Sequence, residues 1–395
     1  MIERELAKKI LVAAEKYPII IITGPRQSGK TTLAKFLFRE YRYVSLEDID
    51  IKNFALTDSR GFLAQFKKEK IILDEVQKVP ELLSYLQTMA DSEKENGRFI
   101  LTGSQNFLLM EKVSQSLAGR AAIFNLLPFS SSELFQKGSL DLDFSQVPDK
   151  VPDISTDLKD IIFAGFYPRI HDQKLEPQEW LRNYYLTYLE RDVRTITNVG
   201  DLDTFNRFVS LCAGRSGCLL DLVSLGNDCG ISNMTVKRWL SILQASFIIM
   251  LLPPYFKNFN KRIIKSSKLY FLDTGLLCYL LRLKQASEYV NHPLKGAIFE
   301  TFIVSEFIKK FHNKGLRPEL YYFRDSGGHE IDLLIDNGSE ILPIEVKAGE
   351  TFNSDFLKNL DYFRSLADVN RSILLYGGDN SFTFKGHLVL SWKTV

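Results

Sequence analysis

The sequence predicts an α/β chain of two or three domains, a three-layer sandwich followed by a helical region and a second, smaller α/β domain. Three observations carry this. Residues 18–129 alternate apolar runs with helical stretches, as a three-layer sandwich does when it binds its ligand at the C-terminal ends of its strands. The segment Gly24-Pro25-Arg26-Gln27-Ser28-Gly29-Lys30-Thr31 fits the phosphate-cradling P-loop at every fixed position. Near the C-terminus, apolar runs at 330–335 and 341–346 flank the turn Asn337-Gly338. A chain of 395 residues also exceeds what one core normally holds.

The chain opens with an amphipathic charged helix over residues 1–10, without a signal-peptide core. Residues 18–23 read as a buried strand. The loop after it aims backbone N–H groups at one point, with the partial positive charge of a helix N-terminus beside them. Gly24 and Gly29 permit the curl because neither has a Cβ. Lys30 is placed to reach the β- and γ-phosphates and Thr31 to put its hydroxyl on Mg²⁺. Thr32 continues into a helix anchored by Leu33, Ala34, Phe36 and Leu37. ATP and Mg²⁺ are the expected cofactors.

Binding becomes hydrolysis when a second acidic strand lies nearby, and Ile71-Ile72-Leu73-Asp74-Glu75 supplies one. Asp74 is expected to hold Mg²⁺ through its water shell and Glu75 to polarise the attacking water. A third apolar run, 98–105, ends in small polar residues. There Ser104, with Thr102 behind it, is the candidate to sense the γ-phosphate. Arg120, before the apolar run 121–127, is a candidate guanidinium for charge on the transferred group, within one subunit or across an interface. Arg26, inside the loop, is open to the same reading.

The string of P-loop, "LDEVQKVP", "LTGSQ", "LAGR" and "LLPFSSSEL" resembles the AAA+-type ATPases of bacteria and archaea, and "GFYPRI", "YLERDV", "KLYFLDTGL" and "EIDLLI" match phrases of their second half. The resemblance implies an AAA+-like core, a helical and winged-helix region, and a C-terminal domain similar to restriction-endonuclease folds. The expected domains are 1–135, the ATPase core; 136–200, linker and helical lid; 201–285, winged helix-turn-helix; and 286–395, nuclease-like. No second-sensor arginine is identifiable in the lid.

Composition adds exclusions. A net charge of +2 and 25% charged residues point to no overall nucleic-acid surface, so any basic patch is local. Cys212, Cys218, Cys229 and Cys278 lack metal-ligand spacing and read as buried small residues. The longest apolar run is too short to cross a bilayer, so a cytoplasmic protein without membrane contact is expected.

Beyond a polar linker at 137–156, Trp180, Tyr184, Tyr185, Tyr188 and Leu189 recur at helical spacing and read as core. Residues 220–240 read as helix, turn, helix: Gly230 supplies the turn, Ser232 the N-cap, and Val236, Leu240 and Leu243 pack inward. Asn233, Thr235, Lys237 and Arg238 then face outward, where a DNA reader meets the major groove. Lys257, Lys261, Arg262, Lys265 and Lys268, with no acidic residue among them, read as a basic wing. The last region sets Glu300 on a helix and Asp332, Glu345 and Lys347 on consecutive strands. Glu345 and Lys347 share a face, as strand alternation requires. Nucleases of the PD-(D/E)xK type use such a set, with Glu300, Asp332 and Glu345 as Mg²⁺ ligands and Lys347 orienting water without ligating. The expected partner is DNA, with a docked protein and an inactive nuclease-like domain as one alternative, an ATP-gated nuclease as another, and homo-oligomerisation compatible with each.

Overall fold

In a computed structural model of the chain, which describes residues 2–67, 69–93, 95–104, 117–137, 151–189, 202–255, 266–338 and 340–395, the four isoleucines of β1 (Ile19–Gly24) alternate between two cores. Ile19 and Ile21 pack with Leu73, Leu82 and Leu101; Ile20 and Ile22 pack with Leu33, Ala34 and Leu126. A strand buried on both faces belongs to a parallel sheet between helical layers. Accordingly β2 (Arg42–Ser45), β3 (Ile71–Asp74), β4 (Phe99–Ser104) and β5 (Ala121–Asn125) join β1 in an all-parallel sheet of order β2-β3-β4-β1-β5. All C-terminal strand ends therefore share one edge. The helix Lys30–Leu37 buries Leu33 and Ala34, but Phe36, an expected anchor, is 45% exposed.

The chain divides into two compact units: residues 1–129 with 245–247 and 309–317, and residues 130–244, 248–308 and 318–395. Boundaries at 200 and 285 fall inside the second unit. There the helices Leu222–Cys229 and Asn233–Ala245 are joined through Gly230, whose φ of 71° is the left-handed turn expected of it. Ser232 Oγ accepts from the Thr235 N–H at 3.2 Å as the N-cap. Val236, Leu240 and Leu243 are buried, Asn233, Lys237 and Arg238 exposed, and Thr235 half-buried. An antiparallel hairpin follows, β6 (Ile249–Leu252) against β7 (Lys268–Phe271).

Lys257, Lys261, Arg262 and Lys265 lie outside the described residues, as do 138–150 of the expected linker and 190–193 of "YLERDV". Lys268 corrects the reading of a basic wing: it is 2% exposed, because β7 turns Lys268 and Tyr270 together toward the carboxylate of Glu300. Cys218 is exposed rather than buried, whereas Cys212, Cys229 and Cys278 are buried.

The unit's sheet has the order β12-β13-β11-β10-β9-β8, from β8 (Leu320–Arg324), β9 (Glu330–Asp336), β10 (Ile341–Lys347), β11 (Ile373–Tyr376), β12 (Phe382–Phe384) and β13 (His387–Ser391). It is antiparallel from β8 to β10, and β10, β11 and β13 run parallel. Two of the sequence phrases meet at Asp273, whose carboxylate accepts from the Phe166 N–H at 2.7 Å and the Leu276 N–H at 2.9 Å. Tyr184 and Tyr185 are buried as core and half-buried Trp180 stacks on Tyr184 with rings 15° from parallel, whereas the side chains of Tyr188 and Leu189 lie outside the described residues. Among the described residues no helix is long and apolar enough to cross a membrane.

Candidate functional site

The P-loop follows β1 and runs into the helix Lys30–Leu37. Gly24 has φ 148°, and a Cβ there would lie 2.1 Å from the Leu126 carbonyl oxygen; Gly29 has φ 92°. Both positions therefore exclude side chains by geometry. Lys30 is buried, and its ammonium donates to the carbonyls of Gly24 at 3.1 Å and Pro25 at 2.7 Å.

Asp74 ends β3, and three hydroxyls converge on it. Thr31 Oγ1 lies 2.9 and 3.1 Å from its two oxygens, Tyr43 donates at 2.8 Å, and Thr102 donates to Oδ1. The strand order explains the meeting. With β4 between β1 and β3, the end of β4 delivers Thr102 between the P-loop and Asp74, while β2 delivers Tyr43 from the other side. Burial, then Asp74, pushes the Tyr43 phenol up to about 12, so it stays a donor. A hydroxyl beside a carboxylate on a phosphate-binding loop is a hard-oxygen donor set, and it fits Mg²⁺. Glu75 sits beyond the strand end in left-handed conformation, φ 58°, and the Gln77 amide donates to its carboxylate. Ser104 Oγ is buried without a partner among the described residues. Of these two β4 hydroxyls, that of Thr102 is the one on Asp74.

Arg120 does not reach this edge. It precedes β5, which runs parallel to β1, so it stands at the opposite end of the strands, roughly 16 Å away at about 3.3 Å per residue. There it forks onto Asp91 at 2.6 and 2.9 Å. A guanidinium not anticipated from sequence does touch the loop: buried Arg4 donates to Ser28 O at 2.9 Å and Leu127 O at 2.6 Å. Its spacing from the loop, 24 residues, leaves no local signal. Arg4→Ala leaves these carbonyls unpaired and should destabilise the first unit by about 2–3 kcal/mol. Hydrogen exchange at the β1 amides would report it, and unchanged protection would refute a clamping role.

In the second unit the structure brings together Glu300, Asp332, Glu345 and Lys347, and adds Glu330 and Lys268. Lys268 Nζ lies 3.0 Å from Glu300, 2.5 Å from Glu330 and 3.7 Å from Asp332. Arg324 holds the other Glu330 oxygen at 3.1 Å. Lys347 lies 2.6 Å from Glu345 and 3.8 Å from Asp332, and Asp332 Oδ2 also accepts the Val346 N–H at 2.9 Å. Burial, reinforced by the charge of Asp332, raises the carboxyls of both Glu300 and Glu345. Among the described residues no group of three or more His, Cys, Asp or Glu side chains is arranged to hold a metal ion. Side-chain cations stand among these carboxylates, Lys268 beside Glu300, Glu330 and Asp332 and Lys347 beside Glu345 and Asp332.

The AAA domain family matches residues 16–135, a domain of unknown function (DUF8612) matches 155–287, and another (DUF4143) matches 295–395. The uncharacterized protein Rv2008c of Mycobacterium tuberculosis is 26% identical over 360 residues, covering 88% of this chain and 74% of its own. An uncharacterized protein of Haemophilus influenzae is 23% identical over 402 residues, covering 95% and 94%. The solved Walker-type ATPase paby2304 of Pyrococcus abyssi is similar with a TM-score of 0.45 at 17% identity, over 72% of this chain and 96% of that one. Residues 16–135, which carry the P-loop and Asp74, are thus similar to AAA-type P-loop ATPase domains.

Proposed function

We propose that the chain is a Mg²⁺-dependent ATPase whose nucleotide state is coupled to a DNA-contacting second unit. The observation that carries the catalytic half is the Thr31 hydroxyl seated on Asp74 beside the P-loop lysine. The backbone of Gly24 to Gly29, with Pro25, Arg26, Gln27 and Ser28 between, cradles the phosphates, and Lys30 exchanges the loop carbonyls for phosphate oxygens. Thr31 and Asp74 would hold the ion, with Tyr43 and Thr102 fixing the carboxylate, and Thr32 continues the helix that begins at Lys30. When held by Thr31 and Asp74, Mg²⁺ would supply positive charge to offset that developing on the transferred phosphate. Glu75 orients the attacking water and accepts its proton.

The DNA half rests on the exposed Asn233, Lys237 and Arg238 at the second helix of the helix-turn-helix, where phosphates and base edges are read. A docked protein is the second reading, favoured by Met234 at 81% and Val223 at 56% exposure on the same helix pair. Steady-state ATP turnover with Mg²⁺, with and without double- and single-stranded DNA, separates them. Stimulation by DNA that fades with added salt, and is lost in Lys237→Glu/Arg238→Glu, is expected. Turnover indifferent to DNA would reject the DNA reading.

A further inference from the structure

We propose that Lys268 closes the carboxylate cluster of the second unit in place of a divalent cation, so that the cluster fastens the hairpin β6–β7 to the six-stranded sheet and does not support metal-dependent cleavage of nucleic acid. Lys268 enters from β7, Glu300 from the helix Lys295–Asn313, and Glu330 and Asp332 from β9. Its ammonium is within 3.0 Å of Glu300 and Glu330 and 3.7 Å of Asp332, and the residue is 2% exposed. This is the point between helix and strand where a cleaving ion would have to sit.

Further side-chain and backbone donors hold these carboxylates. Arg324 and Lys268 divide the two oxygens of Glu330, and Tyr270 donates to the Glu300 oxygen that Lys268 also holds. Asp332 has Val346 N–H on Oδ2, and Lys347 takes Glu345 Oε1. Glu345 Oε2 is buried and unpaired among the described residues, but an ion bound there would lie beside the Lys347 ammonium on Oε1 of the same carboxylate. A Mg²⁺ ion placed among Glu300, Glu330 and Asp332 would face a buried ammonium, so one cation excludes the other. The strand alternation that puts Lys268 and Tyr270 on one face of β7 directs both to Glu300, so the contact is built into the hairpin register.

The test is Mn²⁺ binding to the full-length, nucleotide-free protein, followed by electron paramagnetic resonance. Wild type and Asp332→Asn should bind the same amount of Mn²⁺ up to millimolar concentration. Lys268→Ala should gain one site at least tenfold tighter, and the double variant Lys268→Ala/Asp332→Asn should lose it. A wild-type Mn²⁺ ion that disappears in Asp332→Asn would overturn the proposal, as would a Lys268→Ala protein with no added site, or Mn²⁺-dependent DNA cutting abolished by Lys347→Ala. If Lys268→Ala does not fold, the comparison of wild type with Asp332→Asn still decides. No nucleotide is present, so the outcome is independent of the ATPase reading.

Discussion

Glu75→Gln should leave ATP binding near wild type and lower kcat by about 10²–10⁴, the range for a lost general base. The amide keeps the size of the carboxylate but cannot accept the proton of the attacking water. Its position supports that division: Glu75 lies one residue past Asp74, outside the ring of hydroxyls formed by Thr31, Tyr43 and Thr102. Losing its charge leaves the ion-holding carboxylate and the phosphate cradle intact. Lys30→Ala is the contrasting variant, because it removes the ammonium proposed to exchange the loop carbonyls for phosphate oxygens, and binding itself should fail. Single-turnover hydrolysis alongside equilibrium binding of a fluorescent ATP analogue separates the two. Normal turnover by Glu75→Gln would move the base to another residue, and lost binding in that variant would assign Glu75 to the cradle.

What could be read from sequence follows the range over which each interaction acts. The P-loop is legible because its constraints are local: Gly24 and Gly29 need their positive φ within one short loop. Apolar runs and the left-handed Gly230 are legible for the same reason. Arg4, Tyr43 and Gln77 are not, since Arg4 reaches the loop from the segment before the helix Leu6–Ala14 and Tyr43 meets Asp74 only once β2 pairs with β3. The contact of Thr102 with Asp74 likewise needs the register of β4. Arg120 is different. It precedes a strand parallel to β1, and strand polarity alone puts it at the end away from the phosphates. Lys268 was hidden by its neighbours: in a run of five cations without an acid it carries no local mark of burial, and only the fold supplies its carboxylates.

Lys268→Met should destabilise the second unit by about 3–5 kcal/mol, the cost of removing one partner from a buried ion pair. Methionine fills the volume but leaves Glu300 without a cation and Glu330 and Asp332 with one fewer. Buried carboxylates without compensation either stay ionised in a poor medium or take up a proton, and both are unfavourable at neutral pH. The measurement is direct because all three tryptophans, Trp180, Trp239 and Trp392, lie in this unit, so their fluorescence during urea unfolding follows it alone. Combining Lys268→Met with Glu300→Gln should recover part of the loss: one buried charge goes, and Tyr270 keeps an acceptor. That non-additivity separates an electrostatic joint from simple packing, since two independent defects would add. A cost below about 1 kcal/mol for Lys268→Met would mean that the carboxylates are hydrated. Lys268 would then be a surface charge resting on the sheet, and the hairpin would be held by its apolar contacts.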